Sequence, residues 1–279
     1  MQGVGRCHPN SLAAFAAEGS LACGAVPDET PRAVDDRFDP DQVDATLAST
    51  LDSLDDAENY RNWIVDLARP HLVGPILEVG AGHGTFTESF ATIGEVTAVE
   101  PGGYAAEVLA SRYAHDERVT AVDGVVADVA AEPVFGSAVM INVLEHIADD
   151  QGVLREIGER LQPGACLSIW VPAFQLLYSP FDTKLGHVRR YRKHELVADV
   201  RAAGYDVVDE RYVNMPGWFS WLILVRLLRQ EPTSATTVKI FDRWIVPVVR
   251  WVEDRLRMPF GQSVFVVARK PVAPTPSGR

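Results

Sequence analysis

Five short apolar runs, at 76–79, 96–99, 119–122, 138–142 and 166–171, constrain this chain more than any other feature. Helical patterns at 85–92, 103–114 and 149–161 separate them. Apolar runs of strand length that alternate with helices describe βαβ units, which stack into a parallel sheet covered on both faces. A further helix at 193–203 stops at Gly204, and strands follow at 205–212 and 263–268. The spacing predicts an α/β fold, a doubly wound and mostly parallel seven-stranded sheet. Ahead of it, Val43, Leu47, Leu51 and Leu54, then Tyr60, Trp63, Ile64 and Leu67, recur at helical spacing and predict N-terminal helices over 41–70. Residues 1–40 lack periodicity and are expected to form a poorly ordered leader, and 271–279 a flexible tail.

Charge and cysteine usage narrow the class. A net charge of −12 excludes a general nucleic-acid binder, which needs a basic surface against phosphates. The charge is uneven: residues 28–58 hold 11 acids and 2 bases, whereas 211–257 hold eight bases and four acids. Cys7, Cys23 and Cys166 are far apart and form no CxxC pair, so neither a disulfide framework nor a zinc site is expected. A cytoplasmic chain fits that usage. Leu21-Ala22-Cys23 faintly suggests a lipoprotein cleavage site, but Glu18 and Gly19 interrupt the apolar stretch and Arg6 alone precedes it.

The segment ILEVGAGHGTF (76–86) carries the chemistry. A strand runs into Gly80-x-Gly82-x-Gly84, and a helix is expected from Thr85. Glycines are needed where a strand turns sharply into a helix and bare backbone must lie against a ligand. Glu100 ends the second strand 20 residues after Gly80, where an acid accepts hydrogen bonds from the ribose of an adenosine ligand. Two details depart from a dinucleotide site, and disfavour a dehydrogenase. The spacing is GxGxG, and Glu78 precedes the first glycine, where a carboxylate repels a pyrophosphate but suits an ammonium and a sulfonium.

With NVLEHI (142–147) and LQPGA (161–165), these motifs resemble the class I S-adenosylmethionine-dependent methyltransferases, over about residues 60 to 212. The resemblance implies a Rossmann-like domain over 71–213 and 262–270, with S-adenosylmethionine as cofactor and a small-molecule acceptor. It implies that Glu78 lies near the aminoacyl end of the cofactor and Glu100 at its ribose, in a site with Gly80, Ala81, Gly82, Gly84, Pro101, Val125, Val126 and Asn142. The family commonly has Gly-Asp after the third strand and Phe-Asp before the fourth. Here Gly124-Val125 and Phe135-Gly136 stand there, so backbone near Val125 and Val126, or Asp128, is expected at the adenine. A cofactor-binding module without turnover, regulating or scaffolding a partner, is the alternative these departures leave open.

His146, beside Glu145 past the fourth strand, is the first choice of general base for a hydroxyl acceptor; otherwise it caps a helix or bonds to a loop. The loop VPAFQLLYSPFDTKLGHVRRYRKHEL (171–196) resembles a subgroup with a YSxFDxxxGHxRRY signature, broadly assigned to quinone-type O-methylation. It offers His187 to catalysis and Tyr178, Phe181, Asp182, Arg189, Arg190 and Tyr191 to the acceptor. Paired arginines suit an anionic group; alternatively Arg189 and Arg190 pair with the acidic N-terminal helices. No resident metal is expected, although Glu145, His146 and His187 together form a candidate cation site that some RNA and ubiquinone-pathway methyltransferases resemble. There Asn142 stands where a further Glu would complete the set. The insert at 214–261 interleaves Trp218, Phe219, Trp221, Trp244 and Trp251 with Arg226, Arg229, Arg243 and Arg250. It reads as a helical lid, a dimer contact or a peripheral membrane dock, and is too short in apolar residues to span a bilayer.

Overall fold

The structure is a computed structural model that describes residues 50–51, 54–229 and 235–272. The expected leader, the helix before residue 50 and the tail beyond residue 272 lie outside the described residues. Within them, α1 (Glu58–Ala68) precedes β1 (Ile76–Val79), α2 (Thr87–Ala91), β2 (Val96–Glu100), α3 (Gly103–Arg112) and β3 (Val119–Asp123). Next come β4 (Phe135–Ile141), α4 (Asp150–Arg160), β5 (Leu161–Pro172), α5 (Pro180–Lys184), α6 (Lys193–Ala202) and β6 (Asp206–Val213). The insert holds α7 (Met215–Ser220), α8 (Ala235–Ile240) and α9 (Val246–Glu253), with π-helical turns at Trp221–Leu227 and Phe241–Ile245. β7 (Ser263–Arg269) closes the chain.

The described strands form one seven-stranded sheet in the order β3-β2-β1-β4-β5-β7-β6. All pairings from β3 to β5 are parallel, while β7 runs antiparallel between β5 and β6. This is the doubly wound, mostly parallel sheet that the alternation of runs predicts. Successive side chains of a strand point to opposite faces, and each face has its own core. Leu77, Val79, Met140, Ile169 and Val266 lie in one cluster, under α4 and α6. Ile76, Val139, Trp170 and Phe265 lie in the other, with Trp63 and Ile64 of α1 and Val246 and Val249 of α9.

Gly136, where the family that the motifs resemble favours an acid, has a steric reason. A Cβ there would lie 2.7 Å from the Val73 carbonyl oxygen and 2.8 Å from that of Gly74, where β4 is irregularly paired. The departure thus serves backbone packing at the far end of the strand. The helix expected from Thr85 begins two residues later, because Gly84 turns at φ +88° and the chain completes a tight turn first.

Buried carboxylates fasten the insert to the body and its second arm to its start. Asp242 accepts from the backbone amides of Asn59 (3.0 Å) and Tyr60 (2.8 Å), at the start of α1. Glu253 accepts from the amides of Asn214 and Met215, both at 2.9 Å. These bonds satisfy helix-start donors that lack intrahelical partners. Asp242→Ala removes two such acceptors and leaves the donors buried, so a loss of about 2–4 kcal/mol is expected in urea denaturation monitored by tryptophan fluorescence.

Candidate active site

Because β1, β2, β4 and β5 run parallel, their carboxyl ends open on one rim, where sheets of this kind bind ligands. Gly80, Gly82 and Gly84 follow β1 with φ of +69°, +57° and +88°, conformations that side-chain-bearing residues rarely adopt. Val143, past β4, presses on the first: a Cβ on Gly80 would lie 2.2 Å from a Val143 methyl. At the end of β2, Glu100 is buried and directed into the turn, its Oε2 accepting from Gly82 N at 2.9 Å. Ala81 and Pro101 are buried beside them. The turn after Val79 thus sets glycine backbone beside one buried acid, with Val143 packed against it.

Glu78 is also buried, with its Oε2 accepting from Thr87 Oγ1 of α2 at 2.7 Å. Burial pushes its carboxyl up to about 8; the Thr87 hydroxyl partly offsets this, and the Glu100 charge adds to it. Sequence spacing does not reveal the N-terminal cover over this turn. Leu51 lies against Gly82, where a Cβ would approach its Cδ2 to 3.1 Å. Arg61 reaches the Thr85 carbonyl oxygen at 3.5 Å and Asp55 at 3.7 Å.

The expected adenine contacts are only partly available. Val125 donates its amide to Asp128 Oδ2 at 2.8 Å, so that donor and that oxygen satisfy each other. The Val126 side chain belongs to the core. Asn142 sits at the end of β4 with φ +53°, its amide donated to the Trp170 carbonyl.

Past β4, a tight helical turn at Leu144–His146 buries Glu145 and His146. Neither Glu145 oxygen meets a hydrogen-bond donor from another described residue, at 0% exposure. Burial raises its carboxyl to about 8, which the Arg190 charge partly offsets and the Asp182 charge reinforces. His146 Nδ1 is likewise unpartnered, while a backbone bond at Gly186 engages the ring. Burial, then the neighbouring His187, holds its pKa well below the usual imidazole value.

His187 reaches the same point from the 171–196 loop. Its Nδ1 donates to Asp182 Oδ1 at 2.9 Å, leaving Nε2 toward Glu145 Oε1 at 3.9 Å. Burial lowers its pKa and Asp182 partly restores it. Asp182 is placed by α5: its Oδ2 accepts from Ser179 N and Oγ, both 2.9 Å, and Arg190 Nε donates to its Oδ1 at 2.7 Å. Burial alone would raise the Asp182 carboxyl, but His187 and Arg190 outweigh it and bring it to about 2. The ligand atoms of Glu145, His146 and His187 all lie within 4.8 Å of one another.

The remaining acceptor candidates divide. Phe181 is buried beside Trp221, ring centroids 5.9 Å apart, and Arg190 lies 4.7 Å over that Trp221 ring with its Nη1 unpartnered. Tyr178 donates to the His187 carbonyl at 2.6 Å and so braces the loop. Tyr191 donates to Asp150 Oδ2 at 3.0 Å, and Arg189 ion-pairs with the same carboxylate. Among the described residues, the two arginines thus find their partners in Asp150 and Asp182.

Residues 77–167 match a family model described as a methyltransferase domain. No protein of curated function matches the sequence. The 1,6-didemethyltoxoflavin N1-methyltransferase of Burkholderia thailandensis, solved with its substrate and S-adenosylhomocysteine, is similar at 21% identity and TM-score 0.52, over 88% of this chain and 94% of that one. A chain of the Haloferax volcanii complex between the Trm112 methyltransferase activator and a methyltransferase is similar at 19% identity and TM-score 0.55, over 82% of this chain and 97% of that one. Phosphoethanolamine N-methyltransferase 2 of Haemonchus contortus, solved with S-adenosylmethionine, gives 19% identity and TM-score 0.53 over 76% of this chain and 52% of that one. At these identities the likeness is one of fold. Fold, glycine turn and matched domain together define a class I methyltransferase. Its cofactor is S-adenosylmethionine.

Replacing Glu100 by Ala deletes a charged hydrogen-bond acceptor at the turn. The expected outcome is roughly 10–100-fold weaker S-adenosylmethionine binding by calorimetry. A second expectation concerns pH. Glu78 and Glu145 keep protons in the folded state that the unfolded chain releases above about 4.5, the ordinary value of a glutamate. The folded state therefore binds more protons between that value and about 8, and stability of the cofactor-free protein falls as pH rises through this window. Thermal melts across that range test the sign.

Proposed function

We propose that this enzyme methylates a hydroxyl oxygen of a small-molecule acceptor that carries an anionic group, seated between the glycine turn and the Glu145–His146–His187 cluster. One observation carries the reading. Glu145, His146 and His187 converge at this rim, the first two buried and the third half-buried, and neither Glu145 oxygen nor His146 Nδ1 meets a hydrogen-bond partner among the described residues. A buried polar group without a partner is costly, and a module that only binds cofactor has no use for such groups.

In this reading the acceptor oxygen attacks the cofactor's methyl carbon as the carbon–sulfur bond breaks, and S-adenosylhomocysteine leaves. The sulfonium is already an excellent leaving group, so the protein's part is alignment, exclusion of water and removal of the hydroxyl proton. His146 Nδ1, neutral and carrying a free lone pair, takes that proton. Glu145 and the Asp182-oriented His187 stabilise the imidazolium that results or orient the acceptor. Arg190 Nη1 offers an anchor for the acceptor's negative group.

A second reading is favoured by the same cluster. Glu145 Oε1 and His187 Nε2, 3.9 Å apart, are too far for a hydrogen bond, and Asp182 fixes the His187 tautomer as carboxylates do behind ligand histidines. The residues fit a divalent cation held by Glu145, His146 and His187, which would lower the pKa of a bound acceptor hydroxyl.

His146→Ala is expected to lower kcat by roughly 10²–10⁴-fold while S-adenosylmethionine affinity stays unchanged. Purified enzyme assayed with and without EDTA separates the two readings. Indifference assigns the proton to His146, and loss restored by added Mg²⁺, Mn²⁺ or Zn²⁺ assigns the cation. The pH profile gives a further mark. Where Glu145 must be ionised, chelated enzyme gains activity up to about pH 8, and a bound cation moves that limb toward acid. A carboxylate-for-amide change, Glu145→Gln, removes the limb.

A further inference from the structure

The second arm of the insert is apolar on two opposite faces. Asp242, Val246, Val249 and Glu253, at spacings of four, three and four, are buried against the body. Ile240, Trp244, Val248 and Trp251, spaced four, four and three, run along the other side and are exposed. Trp244 is 68% and Trp251 60% accessible. A surface helix normally carries one apolar stripe, and aromatics left in water mark an interaction site. The first arm repeats the theme, with Phe219, Ile223 and Leu227 exposed.

Charge follows the same division. The buried acids Asp242 and Glu253 face the body and cap helix starts. The outward charges are mostly basic: Arg226, Arg229, Arg243 and Arg255 are exposed, Arg255 lying 4.4 Å over the Trp251 ring, while Lys239 pairs with Asp56 and Asp254 with Arg250. In a chain of net charge −12, the insert therefore presents a local cationic and aromatic surface. The arm is also held in place, since Arg250 pairs with Asp66 of α1 at 2.9 Å and Val246 and Val249 pack in its cluster. A fastened arm does not swing as a lid.

We infer that this outer stripe docks on an anionic lipid surface, and that the methyl acceptor is an amphiphile drawn from it. Indole rings settle at the boundary between headgroups and acyl chains, and arginines reach from there to anionic headgroups. The first arm borders the site. Trp221 Nε1 donates to the Leu177 carbonyl at 3.1 Å, its ring covers Arg190, and Val225 packs on Phe181 and Leu185. A headgroup entering beside Trp221 meets Arg190 and, past it, His187. The acceptor half of this inference rests on the methyl-transfer reading above, whereas the docking half stands without it.

Flotation of the full chain with phosphatidylcholine vesicles, with and without phosphatidylglycerol, tests the docking. The protein is expected to float with the anionic vesicles alone. Trp244→Glu with Trp251→Glu, and separately Arg226→Glu with Arg243→Glu, are expected to weaken this by about tenfold or more. Wild-type protein that stays at the bottom with both vesicles overturns the inference, as do folded variants that float like wild type. Light scattering in the same buffer distinguishes the other occupant: a dimer that the Trp244→Glu, Trp251→Glu variant makes monomeric assigns the stripe to a second copy and overturns lipid docking. Calorimetry with S-adenosylmethionine reports folding of every variant. Flotation without cofactor binding in wild type leaves the dock standing and removes the acceptor half.

Discussion

Parallel pairing of β1 with β2 and β4, and of β4 with β5, is the constraint on which the rest depends. It gathers the carboxyl ends of four strands on one rim, and every candidate group hangs from one of those ends. Glu100 closes β2 and reaches the amide of Gly82 past β1. Val143, past β4, packs where Gly80 has no side chain. A one-residue change of register would turn Glu100 to the other face and separate these contacts together.

The rim holds two buried carboxyls that burial keeps from ionising easily. Glu78 and Glu145 are buried acids whose carboxyls burial raises to about 8. Neither has a cation bonded to it, although Arg190 lowers the Glu145 value in part. Asp182 shows the contrast: equally enclosed, it stays ionised at about 2 because His187, Arg190 and Ser179 all donate to it. The fold thus solves the problem of a buried carboxylate where it positions a histidine, and leaves it open in two places where positive charge would arrive. A sulfonium and ammonium suit the first, and a proton or cation the second.

The strands were legible because burial on both faces produces uninterrupted apolar runs, and Glu100 because its distance from Gly80 is local geometry. Other features depend on contacts that no spacing encodes. Asp182 looked like an acceptor ligand, yet its fourfold engagement follows from the turn that α5 makes at Ser179. The partners of Arg189 and Arg190 come from different elements, Asp150 at the start of α4 and Asp182 in α5. Leu51 over Gly82 and Arg61 at Thr85 depend on how the N-terminal segment crosses the rim. Gly136 could be noticed as a departure, but its cause, the Val73 and Gly74 carbonyls, lies more than sixty residues away.

Cofactor turn, polar cluster and insert form one continuous structure. From Gly80 the contact runs to Val143, and two residues on stands Glu145, facing His187. His187 is held by Asp182, Asp182 by Arg190, and Arg190 lies under Trp221 in the first arm of the insert. Each link is a packed or hydrogen-bonded contact between buried or half-buried groups, so displacement of one shifts its neighbours. Asp242 and Glu253 of the second arm are turned inward to cap α1 and α7, which leaves Arg243 and Arg255 on its exposed side without altering the overall acidity of the chain.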